Sequence, residues 1–260
     1  MPNDLQLIRK TLRTASQADL DDAAGKLFAM FIEREKEFGF NPAITVDYPD
    51  VADPATSPFL NDITGYVERL ARRLESEGAA VSQVILLTTY GARLSSPLTQ
   101  AGFAEAPIDM PAGPDDTTWY KRSPDSGSGR ILYIEAVDEA DPKIRPGFAL
   151  ELLDGEGKLR GGACGSIHAR SGQRYAYLAT MTLDAGLPPG TGQWLGEALI
   201  AFMRDEGVKA IHLGTQTAGP FYRDKLGFSI THTVLPALRV RRDSNGAEIT
   251  TDLVMMERVL

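Results

Sequence analysis

Two stretches hold the residue types that could do chemistry. One is a glycine-bearing turn, Gly190-Thr191-Gly192-Gln193-Trp194-Leu195-Gly196, which opens an amphipathic segment. Glycines there free backbone amides at a helix N-terminus, and such amides bind phosphate well. The other is Phe221–Phe228, Phe-Tyr-Arg-Asp-Lys-Leu-Gly-Phe, which places Tyr222 just past the next short apolar strand. A phenol, with an ordinary pKa of about 10, can donate a proton to a developing anion. Together the two stretches point to a ligand bearing a pyrophosphate and to a proton donor beside its reactive end.

The elements that must position these residues follow from periodicity. Ile131–Val137, Phe148–Leu153 and Gly162–Arg170 read as strands, with a turn at Asp154-Gly155 and Gly157. Arg174–Leu183 is apolar on both faces, as a central strand is. From Gln193 to Asp205 a helix carries Trp194, Leu195, Ala198, Leu199, Phe202 and Met203 on one stripe, and Gly207 stops it. Ala210–Gly214 is a buried strand. A helix over Ala218–Lys225 tolerates Pro220 in its first turn. Ser229–Val240 and Glu248–Val259 close the chain as two strands around Asp243-Ser244-Asn245-Gly246.

This order, with the Phe-Tyr-x-x-x-Leu-Gly-Phe run and the closing Asp252–Leu260, resembles the GNAT acyltransferase superfamily from about residue 130 onward. Its members move an acyl group from coenzyme A to an amine. The family's pyrophosphate loop, Arg/Gln-x-x-Gly-x-Gly/Ala, matches at Gly196. Thr191 stands where the family has its basic or amide residue, and Trp194 stands where it has the middle glycine. The resemblance implies an α/β (α+β) fold, a mixed, mostly antiparallel twisted sheet flanked by helices. It implies acetyl-CoA as cofactor, held by Gly190, Thr191, Gly192, Gln193, Trp194, Leu195 and Gly196. Backbone groups of Met181 and Leu183 would hold the pantetheine arm, with Gln216 and Phe221 nearby. Tyr222 would touch the cofactor and protonate the leaving thiolate. The family's fourth strand often carries a carboxylate as general base. Arg174–Leu183 has none, so Glu135, His168, Asp184 and a water chain stand as alternatives. The two helices that the family places after its first strand have no room in Asp138–Gly147.

The N-terminal half carries an echo of the other. Leu7–Leu12 and Gln17–Glu35 look like an opening strand and helix of the same family. A helix over Asp62–Glu77 places Tyr66, Val67, Leu70, Ala71 and Leu74 at a constant offset from the stripe of the later one. Both helices end in Glu-Gly, both lead to a short strand, and both then reach Gly-Phe, at Gly102-Phe103 and Gly227-Phe228. Trp119–Arg122 resembles a last strand. These matches read as an internal repeat. Pro97 takes the place of Tyr222 in the first copy, and no glycine loop precedes it. The Ser/Gly/Pro-rich Ser123–Arg130 reads as a linker. The expected division is residues 1–122, a second GNAT-like lobe without coenzyme A, and residues 130–260, the acyl-CoA-binding domain.

Bulk properties set bounds. The chain has 260 residues, 43% hydrophobic and 24% charged, enough for a real core. A net charge of −8 disfavours nucleic acid and anionic membranes and suits a cationic amine. One cysteine, Cys164, excludes an internal disulfide. With no leader-like or spanning apolar stretch, the expectation is a cytoplasmic monomer or homodimer. The three histidines and the cysteine lack metal-ligand spacing, and no Gly-x-Ser-x-Gly elbow suggests a hydrolase. The leading reading is acetyl transfer to a primary amine of a small molecule. A coenzyme A-binding sensor or partner-binding module, and an enzyme acting on a protein or peptide amine, are the other two.

Overall fold

Periodicity of apolar residues sets the elements of the chain. In the computed structural model, residues 4–35, 39, 41–51, 53–106, 118–122, 129–136, 145–170, 172–242 and 245–260 are described. The elements are β1 (Gln6–Thr11), α1 (Gln17–Glu35), β2 (Ile44–Asp47), α2 (Pro58–Asn61), α3 (Ile63–Ser76) and β3 (Val81–Thr88). Then come α4 (Gly91–Gln100), β4 (Ala104–Ala106), β5 (Thr118–Arg122), β6 (Arg130–Ala136), β7 (Phe148–Leu153) and β8 (Leu159–Arg170). Last are β9 (Gln173–Leu183), α5 (Thr191–Asp205), β10 (Val208–Thr215), α6 (Gly219–Leu226), β11 (Ser229–Arg242) and β12 (Glu248–Val259). Of the linker expected at Ser123–Arg130, residues 123–128 lie outside the described residues, as do residues 137–144 and 243–244.

Two units result, and their boundary differs from the expected one. The first comprises Met1–Phe40, Met110–Gly113 and Pro142–Leu260, and the second Asn41–Asp109 and Pro114–Asp141. β1 and α1 therefore belong with the C-terminal strands, while β6, expected as the first strand of the C-terminal domain, sits in the other sheet. The reason is long-range pairing. Gln6–Thr11 pairs antiparallel along the whole of β7. Leu20, Ala23, Ala24 and Leu27 of α1 close over Ala149 and Cys164. β6 instead joins β2 and β3, parallel to both.

The first unit holds a seven-stranded sheet in the order β1-β7-β8-β9-β10-β12-β11. β9 and β10 run parallel, and the other neighbours are antiparallel. Read along the chain, the unit is β-α-β-β-β-α-β-α-β-β, so α1 supplies a helix after the first strand. α5 buries Leu195, Leu199, Phe202 and Met203 against Leu150, Ala163, Ala176, Leu178, Ile211 and Leu213 of the sheet. α1 covers part of the opposite face. β12 is the strand expected from Asp252–Leu260, and it lies between β10 and β11.

The second unit holds a five-stranded sheet, β2-β6-β3-β5-β4. Ile63, Val67, Leu70 and Leu74 of α3 pack with Val84, Leu86, Leu132 and Ile134. The succession α3-β3-α4-β4-β5 repeats α5-β10-α6-β11-β12, and the strand order β3-β5-β4 repeats β10-β12-β11. In both copies a left-handed glycine ends the second helix, at Gly102 (φ 79°) and Gly227 (φ 68°), and the next residue, Phe103 or Phe228, is buried. Among the described residues the repeat covers these five successive elements rather than the whole of residues 1–122, because β1 and α1 serve the other sheet.

Candidate active site at the parting of β9 and β10

β9 and β10 are paired from Arg174/Val208 to Leu178/Leu213 and no further. β9 then runs on to Leu183 with β8 alone beside it, while Gly214 and Thr215 of β10 pair only with β12. The two parallel strands open into a wedge. A bulge marks the opening: Cys164 pairs with Thr180 and Gly165 with Leu178, leaving Ala179 as an extra residue. A Cβ on Gly165 would collide with the carbonyl oxygen of Tyr177, so this register requires glycine. The bulge also exchanges the faces of β9. Ala176 and Leu178 point into the core before it, and Met181 and Leu183 after it.

Edge groups of β9 face this wedge. The Asp184 N–H donates to Arg160 O on the β8 side (2.8 Å). Alternation along the strand turns the backbone groups of Leu183 and Met181 the other way. Consistent with this, Leu183 O accepts from Arg34 Nη1 at 3.3 Å, from the end of α1.

α5 begins beside the wedge. Its N-cap, Gly190, is left-handed (φ 88°, ψ −12°) and provides no capping side chain. The Thr191 N–H and Oγ1 both donate to Pro188 O, and the Trp194 N–H donates to Gly190 O. The N–H groups of Gly192 and Gln193 have no partner among the described residues, as expected of a first helical turn. A Cβ on Gly192 would lie 3.4 Å from Leu183 Cδ1 and 3.7 Å from Phe221 Cζ. The end of β9, the first turn of α5 and the start of α6 thus converge.

Leu195 and Gly196, expected in the phosphate loop, belong to the body of the helix. Leu195 is in the core, and a Cβ on Gly196 would collide with Leu226 Cδ1 and stand 2.7 Å from Cδ2. Gly196 lets α6 approach α5. Gly196→Ala is expected to cost about 1–2 kcal/mol by overpacking, net of the better helix propensity of Ala. In urea unfolding of single and double variants, Leu226→Ala should absorb that cost, since the two side chains couple. Additive losses would rule the contact out. Trp194 is half-buried against the same core, and the exposed Gln193 Nε2 donates to Glu197 at 2.9 Å.

The repeated half shows what this arrangement requires. α3 is capped by its own carboxylate, Asp62, which accepts from the Gly65 N–H at 2.9 Å. β3 and β6 stay paired to the end, at Thr88/Ala136. The second unit has neither an open helix start nor a wedge at the matching places.

Tyr222 lies on α6, whose entry is braced by Ala218 N–H donating to Thr215 Oγ1 at 3.1 Å. Its ring is edge-on to Phe221 and Phe228, with centroids 5.4 and 5.5 Å away. Burial alone raises its pKa above the ordinary phenol value. Gln216 Oε1 accepts from Arg239 Nε at 2.7 Å. Asp184 is tied to Arg160 (2.9 Å), which also holds Asp154, so it serves the turn after β9. Glu135 lies on β6 in the second unit, next to Tyr133 Oη (3.4 Å), whereas Tyr222 belongs to the first unit.

His168 Nε2 sits 2.6 Å from Ser166 Oγ. Register places Ser166, Tyr177, His212 and Glu257 in one row across β8, β9, β10 and β12, on the face opposite the α5 core. A Cβ on Gly214, the first β10 residue beyond the pairing with β9, would lie 3.4 Å from Tyr177 Oη. Sequence reading gave Tyr177 no polar role, and His212 is buried inside its strand. The alternation of aromatic and apolar residues in β9 looks like packing until the register is known. Cys164 is buried under α1, and its thiol is pushed up to about 12. Among the described residues no group of His, Cys, Asp or Glu could hold a metal, and no helix is long and apolar enough to cross a membrane.

No protein-family model matches the chain, and no curated protein matches it. Several solved structures are similar over part of it. A GNAT-family acetyltransferase from Streptococcus pneumoniae shares 18% identity over 44% of this chain and 67% of its own, with a TM-score of 0.34. Ard1 from Thermoplasma volcanium shares 22% over 43% of this chain and 70% of its own, with a TM-score of 0.32. The ribosomal-protein-S18-alanine N-acetyltransferase from Escherichia coli shares 20% over 43% and 67%, with a TM-score of 0.30.

Proposed function

We propose that the first unit transfers an acetyl group from acetyl-CoA to a primary amine of a small molecule. One observation carries this reading: β9 parts from β10 at a bulge, directly beside an uncapped helix start. Bound acetyl-CoA would supply an activated acyl thioester. The N–H groups of Gly192 and Gln193 would hold its pyrophosphate, aided by the positive end of α5. The exposed backbone edge at Met181 and Leu183 would pair with its amides as an added strand does. Leu183 and Phe221 would flank the arm. In the transfer a C–N bond forms and the C–S bond breaks, Tyr222 gives its proton to the departing sulfur, and solvent returns a proton to the phenolate once the thiol has left. The proton lost by the amine would leave on the other face, where Ser166, Tyr177 and His212 stand in one row.

A coenzyme A binder that transfers nothing is the second reading. Trp194 in place of the motif's middle glycine, and the engagement of Asp184 by Arg160, favour it. Turnover separates the two.

Calorimetric titration with acetyl-CoA tests the site. One site per chain is expected, because at the matching places the second unit has a capped helix start, at Asp62, and strands that stay paired to the end. Two equal sites would refute the assignment of binding to the first unit. Gly192→Val adds bulk between Leu183 and Phe221 and should weaken binding at least tenfold, about 1.4 kcal/mol, with the melting temperature little changed. Unchanged affinity would move the phosphate site elsewhere.

A further inference from the structure

We infer that Arg34, in the last turn of α1, supplies the positive charge that holds the pyrophosphate of acetyl-CoA. This rests on the acyl-transfer reading and adds to its cofactor site a residue from a distant part of the chain. The elements that converge at the wedge are poor in cations. From Tyr175 to Met203, a span that holds most of β9, the turn after it and most of α5, there is no lysine or arginine. Between Lys209 and Arg223, which covers the end of β10 and the start of α6, there is none either. Arg223 itself is engaged by Asp224 at 2.7 Å, and Arg160 by Asp154 and Asp184. A pyrophosphate is anionic at both phosphorus centres, while a helix start offers only about +0.5 of an elementary charge. The net charge of −8 works against such a ligand as well.

α1 brings the missing charge. Leu20, Ala23, Ala24 and Leu27 seat the helix on Ala149 of β7 and Cys164 of β8, and it runs on across β9. Its last turn arrives at the end of β9. There the exposed Arg34 donates from Nη1 to Leu183 O at 3.3 Å, on the edge that faces the wedge. Leu183 is also the residue whose Cδ1 would lie 3.4 Å from a Cβ on Gly192. One residue therefore links the guanidinium to the first turn of α5. The contact uses one of the five N–H donors of the guanidinium, and a carbonyl oxygen has a second lone pair. The edge of β9 can thus pair with the pantetheine arm while Arg34 stays at Leu183 and turns its remaining donors to the phosphates.

A guanidinium suits this task. It stays charged at every working pH, and its planar fork matches two phosphate oxygens at once. Because Arg34 is exposed, its attraction for an anion is screened by salt, whereas the N–H groups of Gly192 and Gln193 carry no full charge. A cation in the last turn also favours the helix itself. That effect acts on the stability of the unliganded protein and leaves cofactor affinity alone, so the two roles separate by measurement.

The experiment titrates the full chain with acetyl-CoA and with its 3′-dephospho form by calorimetry, at low and at high salt. Arg34→Gln should weaken both ligands about tenfold at low salt, the low end for a hydrogen bond to a charged group. The gap between the native protein and the variant should narrow at high salt, and the melting temperature without ligand should hold. Arg34→Lys keeps the charge without the fork and should recover part of the affinity. Arg72→Gln removes the same charge from an exposed position on α3 and should leave the affinity near the native value. Unchanged affinity in Arg34→Gln, or an equal loss in Arg72→Gln, would overturn the inference. So would a loss seen with acetyl-CoA and absent with the dephospho form, which would place Arg34 at the 3′-phosphate. A loss independent of salt, accompanied by a lower melting temperature, would make Arg34 a brace for β9 and overturn it too. Failure of the native protein to bind acetyl-CoA would instead overturn the acyl-transfer reading beneath it.

Discussion

Tyr222→Phe is expected to lower turnover about a hundredfold while the Michaelis constant for acetyl-CoA moves little. The hydroxyl acts only as charge develops on the departing sulfur, so its loss is felt in kcat. General-acid contributions run about 10²–10⁴-fold. Burial sets this one at the low end. The apolar surroundings formed by Phe221, Phe228 and the α5 core raise the pKa of the phenol. The group therefore keeps its proton through the neutral range but is a weaker acid toward a thiolate whose own pKa is near 8.5. Phe preserves the ring and both edge-on contacts, so the melting temperature at neutral pH should hold. Above pH of about 10 the two proteins should differ. The folded protein holds this proton more tightly than the unfolded chain, so native stability falls as pH rises from the unfolded value through the raised one. The Phe variant should lose stability less steeply there. Steady-state kinetics with a good acceptor and melting curves at neutral and alkaline pH measure both effects. Wild-type turnover would make Tyr222 a packing residue.

Gly165→Ala is expected to do severe structural damage for a single methyl. Its Cβ would run into the Tyr177 carbonyl and stand 3.0 Å from Ala179 N. Those are backbone atoms, so no rotamer change relieves the clash, and the β8–β9 register must shift. A loss of at least about 3 kcal/mol is expected, at the top of the overpacking range. The bulge that starts the wedge is lost with it, so acetyl-CoA affinity should fall more than tenfold in whatever protein remains folded. Gly155→Ala is the control, since nothing lies within 4 Å of that Cβ. It should leave the denaturation midpoint and the affinity near the native values. If Gly165→Ala unfolds at the native denaturant concentration, the bulge does not hold the strands as described.

Much of the site was legible in the residues. The glycine turn and Tyr222 stand together because helix signals and the Phe-Tyr…Leu-Gly-Phe run are local, and local signals survive in one dimension. The glycines differed in what they revealed. Gly190 and Gly192 sit at the helix start as the pattern suggests. Gly196 matches the family's loop yet faces Leu226. Spacing cannot tell an amide turned to a ligand from a missing side chain that lets two helices touch.

The sequence by itself determined β7 to β12 with α5 and α6, their order, the acidic balance and the echo of α5-β10 in α3-β3, because each is written in runs of neighbouring residues. Tertiary structure alone decided which strands share a sheet. β1 belongs with β7 and β6 with β3, since a strand chooses its partner by burial and long-range hydrogen bonding. It also decided the faces of β9, where one extra residue at Ala179 exchanges inward and outward positions. The row Ser166–Tyr177–His212–Glu257 exists only once four strands are in register. Contacts between residues far apart in the chain carry no periodic trace in it, and these contacts are what separate a candidate site from a set of residues.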